Sequence, residues 1–185
     1  MWVSPRLDGF LNSQPDACIK LVTSIWKNPS DQHPVDVDVI LAPKDHARSD
    51  LELLSDETIV PIFGSTSEYE FECPDDLLDH PPIHIRGFDD HWARYLSAHN
   101  LKPTSPRGRL TTDASTAAIE MVAAGLGCAV VIERFAKQAV TTGQRIQIVG
   151  NPVTLGQSHY LIRTERSTKA QPHLEEFETW LRQQF

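Results

Sequence analysis

The sequence has 185 residues, of which 40% are hydrophobic and 23% are charged, a composition typical of a globular protein with one core or two small lobes. The formal net charge is −8 and the lysines and arginines are not clustered, which argues against nucleic-acid binding by this chain, because such binding depends on neutralising phosphates. The apolar runs are far shorter than the roughly 18 residues of a membrane span, and the N-terminus does not resemble a signal peptide, so we expect a cytoplasmic protein.

The first half of the chain alternates helical and extended patterns. Residues 2–13 predict a helix with one apolar face. The residues on that face are Val3, Leu7, Phe10 and Leu11. Strands are predicted next, at residues 17–24, 36–42, 50–54 and 58–63. A short helix at 74–79, a strand at 82–86 and a helix at 89–99 complete this half.

The most informative stretch is 112–135. Three residues of the N-cap type precede an apolar helical run: Asp113, Ser115 and Thr116. Gly125 and Gly127 end the helix, and the apolar run 128–132 predicts a strand covered on both faces. The helix start offers free backbone N–H groups beside hydroxyls, which suits an anion such as a carboxylate.

The remaining elements continue the alternation of strands and helices. A strand at 109–112 precedes the stretch just described. A helix at 134–141, strands at 145–149 and 159–163, a loop at 150–156 and a helix at 171–185 complete the chain. The buried face of this last helix is predicted to carry Leu174, Phe177, Trp180 and Leu181. This order of elements predicts an α/β fold with largely parallel sheets.

Six motifs in order along the chain resemble the effector-binding domain of LysR-type transcriptional regulators. They lie at residues 2–24, which begin with the pattern W-x-x-P-R-L-x-x-F, and at 35–42, 59–65, 91–101, 112–135 and 158–185. The resemblance covers nearly the whole chain. It is greatest to the subgroup that includes the glycine-cleavage and β-lactamase regulators.

The resemblance implies two Rossmann-like lobes joined by two crossing strands, as in type 2 periplasmic binding proteins. Residues 1–62 and 155–185 would form regulatory lobe I, and residues 63–154 would form regulatory lobe II. The family's first strand is missing from this sequence, so we expect a loosened lobe I or pairing across a dimer. The family's winged helix-turn-helix is absent as well. The resemblance implies that the helix at 2–13 and the strand at 17–24 form the surface of a homodimer. Alternatively, or in addition, the apolar face of this helix packs on its own sheet.

By this resemblance a small-molecule effector binds between the lobes and is anionic or amino-acid-like. Its expected contacts are Ser115 and Thr116 at a helix start, Gly64, Ser65 and Thr66 after a crossing strand, and His159 on the returning strand. Alternatively, Ser115 only caps its helix, residues 64–66 form a polar turn, and His159 is structural. Asp36 either binds an amine of the ligand or lies in solvent.

Motifs for catalysis, cofactors and metals are missing from the sequence. We find no G-x-S-x-G elbow, P-loop, H-E-x-x-H or complete dinucleotide fingerprint, so we expect neither an enzyme nor a cofactor. His80, His84 and His91 have spacings that suggest a metal site, but they fall on different predicted elements and need not converge. The three cysteines are widely spaced and are expected to be reduced thiols.

The sequence therefore predicts the effector-sensing and dimerisation domain of a LysR-type regulator, which would reach DNA only through the absent winged helix-turn-helix. One alternative is a stand-alone cytoplasmic small-molecule binding protein. Another is a truncated or degenerate regulator fragment without independent activity.

Overall fold

A computed structural model describes residues 2–23, 35–44, 50–66, 71–87, 90–102, 110–163 and 173–185. The chain forms two compact units. The first unit comprises Met1–Asp56 and Gly156–Phe185, and the second unit comprises Glu57–Leu155. Within the described ranges, the helices are all too short or too polar to span a membrane.

Five α-helices lie in the described ranges: α1 (Leu7–Ser13), α2 (Asp90–Ala98), α3 (Ser115–Ala123), α4 (Glu133–Thr141) and α5 (Leu174–Gln184). Two 3-10 helices lie at Ser4–Arg6 and Pro74–Asp79. The strands are β1 (Val37–Pro43), β2 (Leu51–Gly64), β3 (Pro82–Ile85), β4 (Leu110–Thr112), β5 (Cys128–Ile132), β6 (Ile146–Ile148) and β7 (Val153–Arg163). The chain passes between the units within β2 and within β7.

Strand directions are mixed. In the first unit β1 pairs antiparallel with β7, in a register from Val37 opposite Arg163 to Pro43 opposite Gln157. In the second unit β2 pairs antiparallel with β5 and β6, whereas β3 pairs parallel with β4 and β5. The prediction of largely parallel sheets is therefore wrong. Alternating helices and strands predict the layers of the fold but not the direction of each strand, and β2 is antiparallel to both β5 and β6.

The core of the second unit lies on both faces of β5, whose five residues are all buried. Ala129 and Val131 join a cluster with buried residues of α3 and α4. Side chains alternate along a strand, so Val130 faces the opposite side, where α2 contacts β5. Trp92 of α2 donates a hydrogen bond to the Ile83 carbonyl at 3.1 Å. The prediction of a strand covered on both faces is confirmed.

Aromatic packing joins α1 to α5 in the first unit. The Phe10 ring lies 5.2 Å from the Phe177 ring and 5.6 Å from the Trp180 ring. The Trp2 ring lies 4.6 Å from the Phe185 ring. Phe10 is buried, as the helical pattern predicts. These pairs bury large apolar rings in tilted and edge-to-face arrangements, which aromatic side chains favour.

Other predicted elements also differ from the structure. Residues 17–23 form no strand, because they pair with no strand of the described chain, and Ser24 lies outside the described residues. The predicted strands at 50–54 and 58–63 are one continuous strand, β2, since ion pairs and hydrogen bonds satisfy the charges of Asp56 and Glu57 in its middle. The predicted loop at 150–156 ends early, because β7 begins at Val153.

Candidate functional site

The N-terminus of α3 carries the residues that the sequence pattern singled out. Ser115 is the first helical residue, and Ala114 occupies the N-cap position with extended backbone angles and no side-chain cap bond. The first helical hydrogen bond runs from Ala118 N to Ala114 O, at 3.1 Å. The N–H groups of the first turn have no acceptor within a helix. The alternative in which Ser115 only caps its helix is wrong, because the helix begins at Ser115 itself.

The turn before α3 is held by Thr112. Its hydroxyl accepts a hydrogen bond from Ala114 N at 3.3 Å, while Asp113 between them is exposed. Ser115 is half-buried and Thr116 is exposed, so both hydroxyls lie at the border of the solvent. The helix macrodipole gives this end a partial positive charge, which favours an anion.

Residues 64–66 follow β2 in the second unit. A Cβ added to Gly64 would lie 2.9 Å from Val122 O, so the end of β2 packs closely against α3. Val122 lies about 10 Å along the helix axis from Ser115, since an α-helix rises about 1.5 Å per residue. Gly64 therefore touches the C-terminal part of α3. Ser65 N donates to Arg145 O at 3.0 Å, and Ser65 and Thr66 are exposed in a turn.

His159 and Asp36 belong to the first unit. His159 is buried on β7, opposite Leu41 of β1, and its ring lies 5.4 Å from the Phe185 ring. Asp36 directly precedes β1 and is half-buried. The structure thus places five of the predicted contacts in the second unit and these two in the first.

Two groups of charges, which the sequence did not indicate, hold the middle of β2. Asp56 accepts hydrogen bonds from Lys44 Nζ at 2.7 Å and from Ser158 Oγ at 2.6 Å. The bonds from Lys44 and then Ser158 lower the pKa of the Asp56 carboxyl. The neighbouring Glu57 is buried and forms a two-point ion pair with Arg134, with distances of 2.9 and 2.8 Å. The charge-assisted pairs fix this part of the strand.

The buried cysteine and the three histidines that the sequence brought to attention lie in separate surroundings. The Cys128 thiol is buried, and burial raises its pKa to about 12, so it is a poor nucleophile. Among the described residues there is no group of three or more His, Cys, Asp or Glu side chains placed to hold a metal ion. His80 packs edge-on against Phe63, His84 lies near Trp92, and His91 Nδ1 lies 3.3 Å from Val130 O.

The family follows from a match over the full length of the sequence. A family model described as the LysR substrate binding domain matches residues 1–185. The chain belongs to this family. Members of the LysR substrate-binding domain family are regulatory effector-binding domains with a two-lobe fold like that of periplasmic binding proteins.

Solved structures share the fold of this LysR substrate-binding domain. The effector-binding domain of AmpR from Citrobacter freundii is 23% identical, with a TM-score of 0.78, and the match covers 97% of this chain and 88% of that one. The effector domain of AmpR of Pseudomonas aeruginosa is 20% identical, with a TM-score of 0.75 and coverage of 98% and 87%. Full-length AphB of Vibrio cholerae, a virulence activator, is 14% identical, with a TM-score of 0.61 and coverage of 97% and 62%. A comparison with curated protein sequences gives no match.

Proposed function

We propose that this LysR substrate-binding domain senses a small anionic or amino-acid-like effector, and that the N-terminus of α3 binds the effector's carboxylate. The proposal rests on the observation that, among the described residues, no side chain caps this helix start, which carries the hydroxyls of Ser115 and Thr116. Free N–H groups and hydroxyls at a helix start are a ready anion site. His159, Asp36 and residues 64–66 stay predictions that rest on the family resemblance.

The negative net charge of the protein bears on how this helix end could bind an anion. A chain with a net charge of −8 repels anions at long range, so an anionic effector needs a local positive potential. The helix dipole and oriented N–H groups supply that potential without a lysine or arginine. A charge-assisted hydrogen bond is roughly twice as strong as a neutral one, so the hydroxyls of Ser115 and Thr116 add both affinity and orientation.

The proposal extends to the regulator as a whole. A winged helix-turn-helix domain would carry the response to DNA in the cytoplasm, and the similarity to two AmpR effector domains supports placement in the β-lactamase and glycine-cleavage subgroup. A ligand with different affinities for two conformations shifts their populations, and this is the mechanism we propose for the response. The family match does not favour a stand-alone binding protein.

Removal of the hydroxyls at the start of α3 tests the proposed site. We expect Ser115→Ala with Thr116→Ala to weaken the binding of the effector at least tenfold, because loss of one hydrogen bond to a charged group costs about 1.5–3 kcal/mol. The effector is first identified by thermal shift with a panel of amino acids, keto acids and dicarboxylates, since a ligand at 100 times its Kd stabilises the folded state by about 2.7 kcal/mol. Calorimetric titration then compares the variants.

The matched control is Ser97→Ala, which removes an exposed hydroxyl from α2 of the same unit. Its affinity should equal that of the unmodified chain. Equal affinity of the Ser115→Ala, Thr116→Ala variant would refute the site at α3. If no carboxylate in the panel stabilises the protein, the proposed effector class is wrong.

We also propose that α1 and residues 17–23 form a dimer surface. Leu11 on α1 is 39% exposed and Leu21 is 49% exposed, and residues 17–23 pair with no strand of the described chain. Exposed apolar side chains on a segment without a strand partner favour burial against a second copy.

Charges placed on that surface should separate the protomers. We expect Leu11→Lys with Leu21→Lys to shift the mass measured by light scattering from dimer to monomer, because a desolvated lysine opposes association. Leu126→Lys is the control, since Leu126 is 51% exposed and lies in the second unit. A double variant that remains a dimer, or a control that becomes a monomer, would exclude this surface.

A further inference from the structure

Four aromatic rings and a glycine lie together on the α2 side of the second unit, and we call this group the Tyr95 cluster. It comprises Phe63, Phe71, Tyr95, His99 and Gly150. The Phe63 and Phe71 rings are 6.2 Å apart, and the Tyr95 and His99 rings are 4.8 Å apart. Phe71 and the Tyr95 hydroxyl both lie against Gly150. Side chains alternate along β2, so Phe63 points away from the face on which Gly64 meets α3.

Two polar atoms in the Tyr95 cluster have no hydrogen-bond partner within the described chain. Tyr95 is fully buried, and its Oη atom is one of them. The Nε2 atom of His99, on the neighbouring ring, is the other. Burial raises the pKa of Tyr95, so its hydroxyl keeps its proton and is a donor. A buried hydroxyl without a partner is unfavourable, and native proteins contain few such groups.

The backbone leaves space for the hydroxyl of Tyr95. Gly150 has a φ of +67°, and a Cβ there would collide with Tyr95 Oη and approach Phe71 Cζ to 3.3 Å. A phenylalanine at position 95 would fill the same core without a polar atom. Gly150 therefore leaves room for a Tyr95 hydroxyl that makes no hydrogen bond within the described chain.

We propose that Tyr95 Oη and His99 Nε2 bind the hydroxyl group of a guest molecule, at a site separate from the start of α3. The guest is either an internal water or the hydroxyl of a small aromatic compound. Small-molecule sites combine apolar walls with a few polar atoms, and buried water occupies polar positions with two or more partners. This site does not depend on the effector site, because the two lie on opposite faces of the sheet.

The substitution Tyr95→Phe removes the hydroxyl and keeps the ring. If a guest is bound, the substitution removes the hydrogen bond between the Tyr95 hydroxyl and the guest. We then expect the melting temperature to fall by about 2–4 °C. Without a guest, the substitution removes an unsatisfied polar atom, so the melting temperature would stay the same or rise. An unchanged or raised melting temperature would overturn the proposal. Circular dichroism verifies that the variant is folded.

Phenol distinguishes the two sources of the hydroxyl. If the guest is an aromatic compound, phenol should raise the melting temperature of the unmodified chain and leave that of Tyr95→Phe unchanged. If the guest is water, phenol has no specific effect, and nuclear Overhauser contacts between a long-lived water and the Tyr95 ring should appear and be lost in Tyr95→Phe. If phenol stabilises the unmodified chain and Tyr95→Phe equally, and no water contact with the Tyr95 ring is observed, both the aromatic guest and the water guest are contradicted.

Discussion

Replacing Gly127 with alanine should destabilise the second unit by about 3 kcal/mol or more, through backbone strain and overpacking that each cost about 1–3 kcal/mol. Gly127 has a φ of +148°, and an added Cβ would run into the carbonyl oxygen of Pro81. Cys128 N donates to the same oxygen at 3.1 Å, just before β5 enters the core. To avoid this collision, the backbone at position 127 must move, and the buried strand β5 must move with it. Urea unfolding of the chain measures the loss.

Two other glycines serve as controls for the effect at Gly127. Gly125 has a φ of +77° but no atom within 4 Å of an added Cβ, so Gly125→Ala should show the strain alone, about 1–2 kcal/mol. Gly9 lies in α1 with open space around it and no positive φ, so Gly9→Ala should stabilise the protein by about 0.5–1 kcal/mol. If Gly127→Ala costs no more than Gly125→Ala, the close approach to Pro81 is unimportant.

Local patterns predicted the elements whose stability is local. The strand at 128–132 has the predicted bounds, and the helix before it ends where glycines provide the left-handed turn. The 3-10 helix at Pro74–Asp79 also has the predicted bounds. Residues 17–24, in contrast, have an apolar pattern suited to a strand, but a strand also needs a neighbour. The described chain supplies none, so the pattern alone was insufficient.

Long-range contacts explain what the sequence could not show about β2. Asp56 and Glu57 are poor strand formers, and they predicted a break. The partners that satisfy them lie far along the chain: Ser158 is 102 residues from Asp56, and Arg134 is 77 residues from Glu57. The same limit applies to the candidate site. The start of α3 was readable from the sequence, but the contact of Gly64 with the other end of α3 is a tertiary feature.

The burial of Glu178 on α5 could not be predicted from the sequence, because the pattern of apolar residues along the helix does not show that a charged residue is buried with them. The side chain is fully buried, and its Oε2 atom accepts hydrogen bonds from Arg163 and, at 3.2 Å, from Arg182. Arg182 also pairs with Glu52 of β2. The two arginines lie partly in solvent, with side chains 56% and 35% exposed, whereas the carboxylate does not. Removing the two arginines therefore leaves a buried charge without a partner, whereas removing Glu178 leaves two arginines that water can solvate.

From this asymmetry we expect Arg163→Met with Arg182→Met to destabilise the protein by about 3–5 kcal/mol at pH 7, since it leaves a buried carboxylate without a cation. Glu178→Met should cost less, because the freed arginines remain solvated and the carboxylate is no longer desolvated. Adding Glu178→Met to the double variant should then restore much of the lost stability. Urea unfolding of the four proteins measures these differences.

The triple variant separates this electrostatic account from a loss of packing. Adding Glu178→Met to the double variant removes an uncompensated charge and should restore stability, whereas a packing defect at positions 163 and 182 would persist. Lys137→Met is the surface control: it breaks an exposed ion pair with Glu133, which is worth at most about 1 kcal/mol. If Glu178→Met is as costly as the double variant, or if adding it to the double variant restores no stability, the carboxylate stabilises α5 in another way.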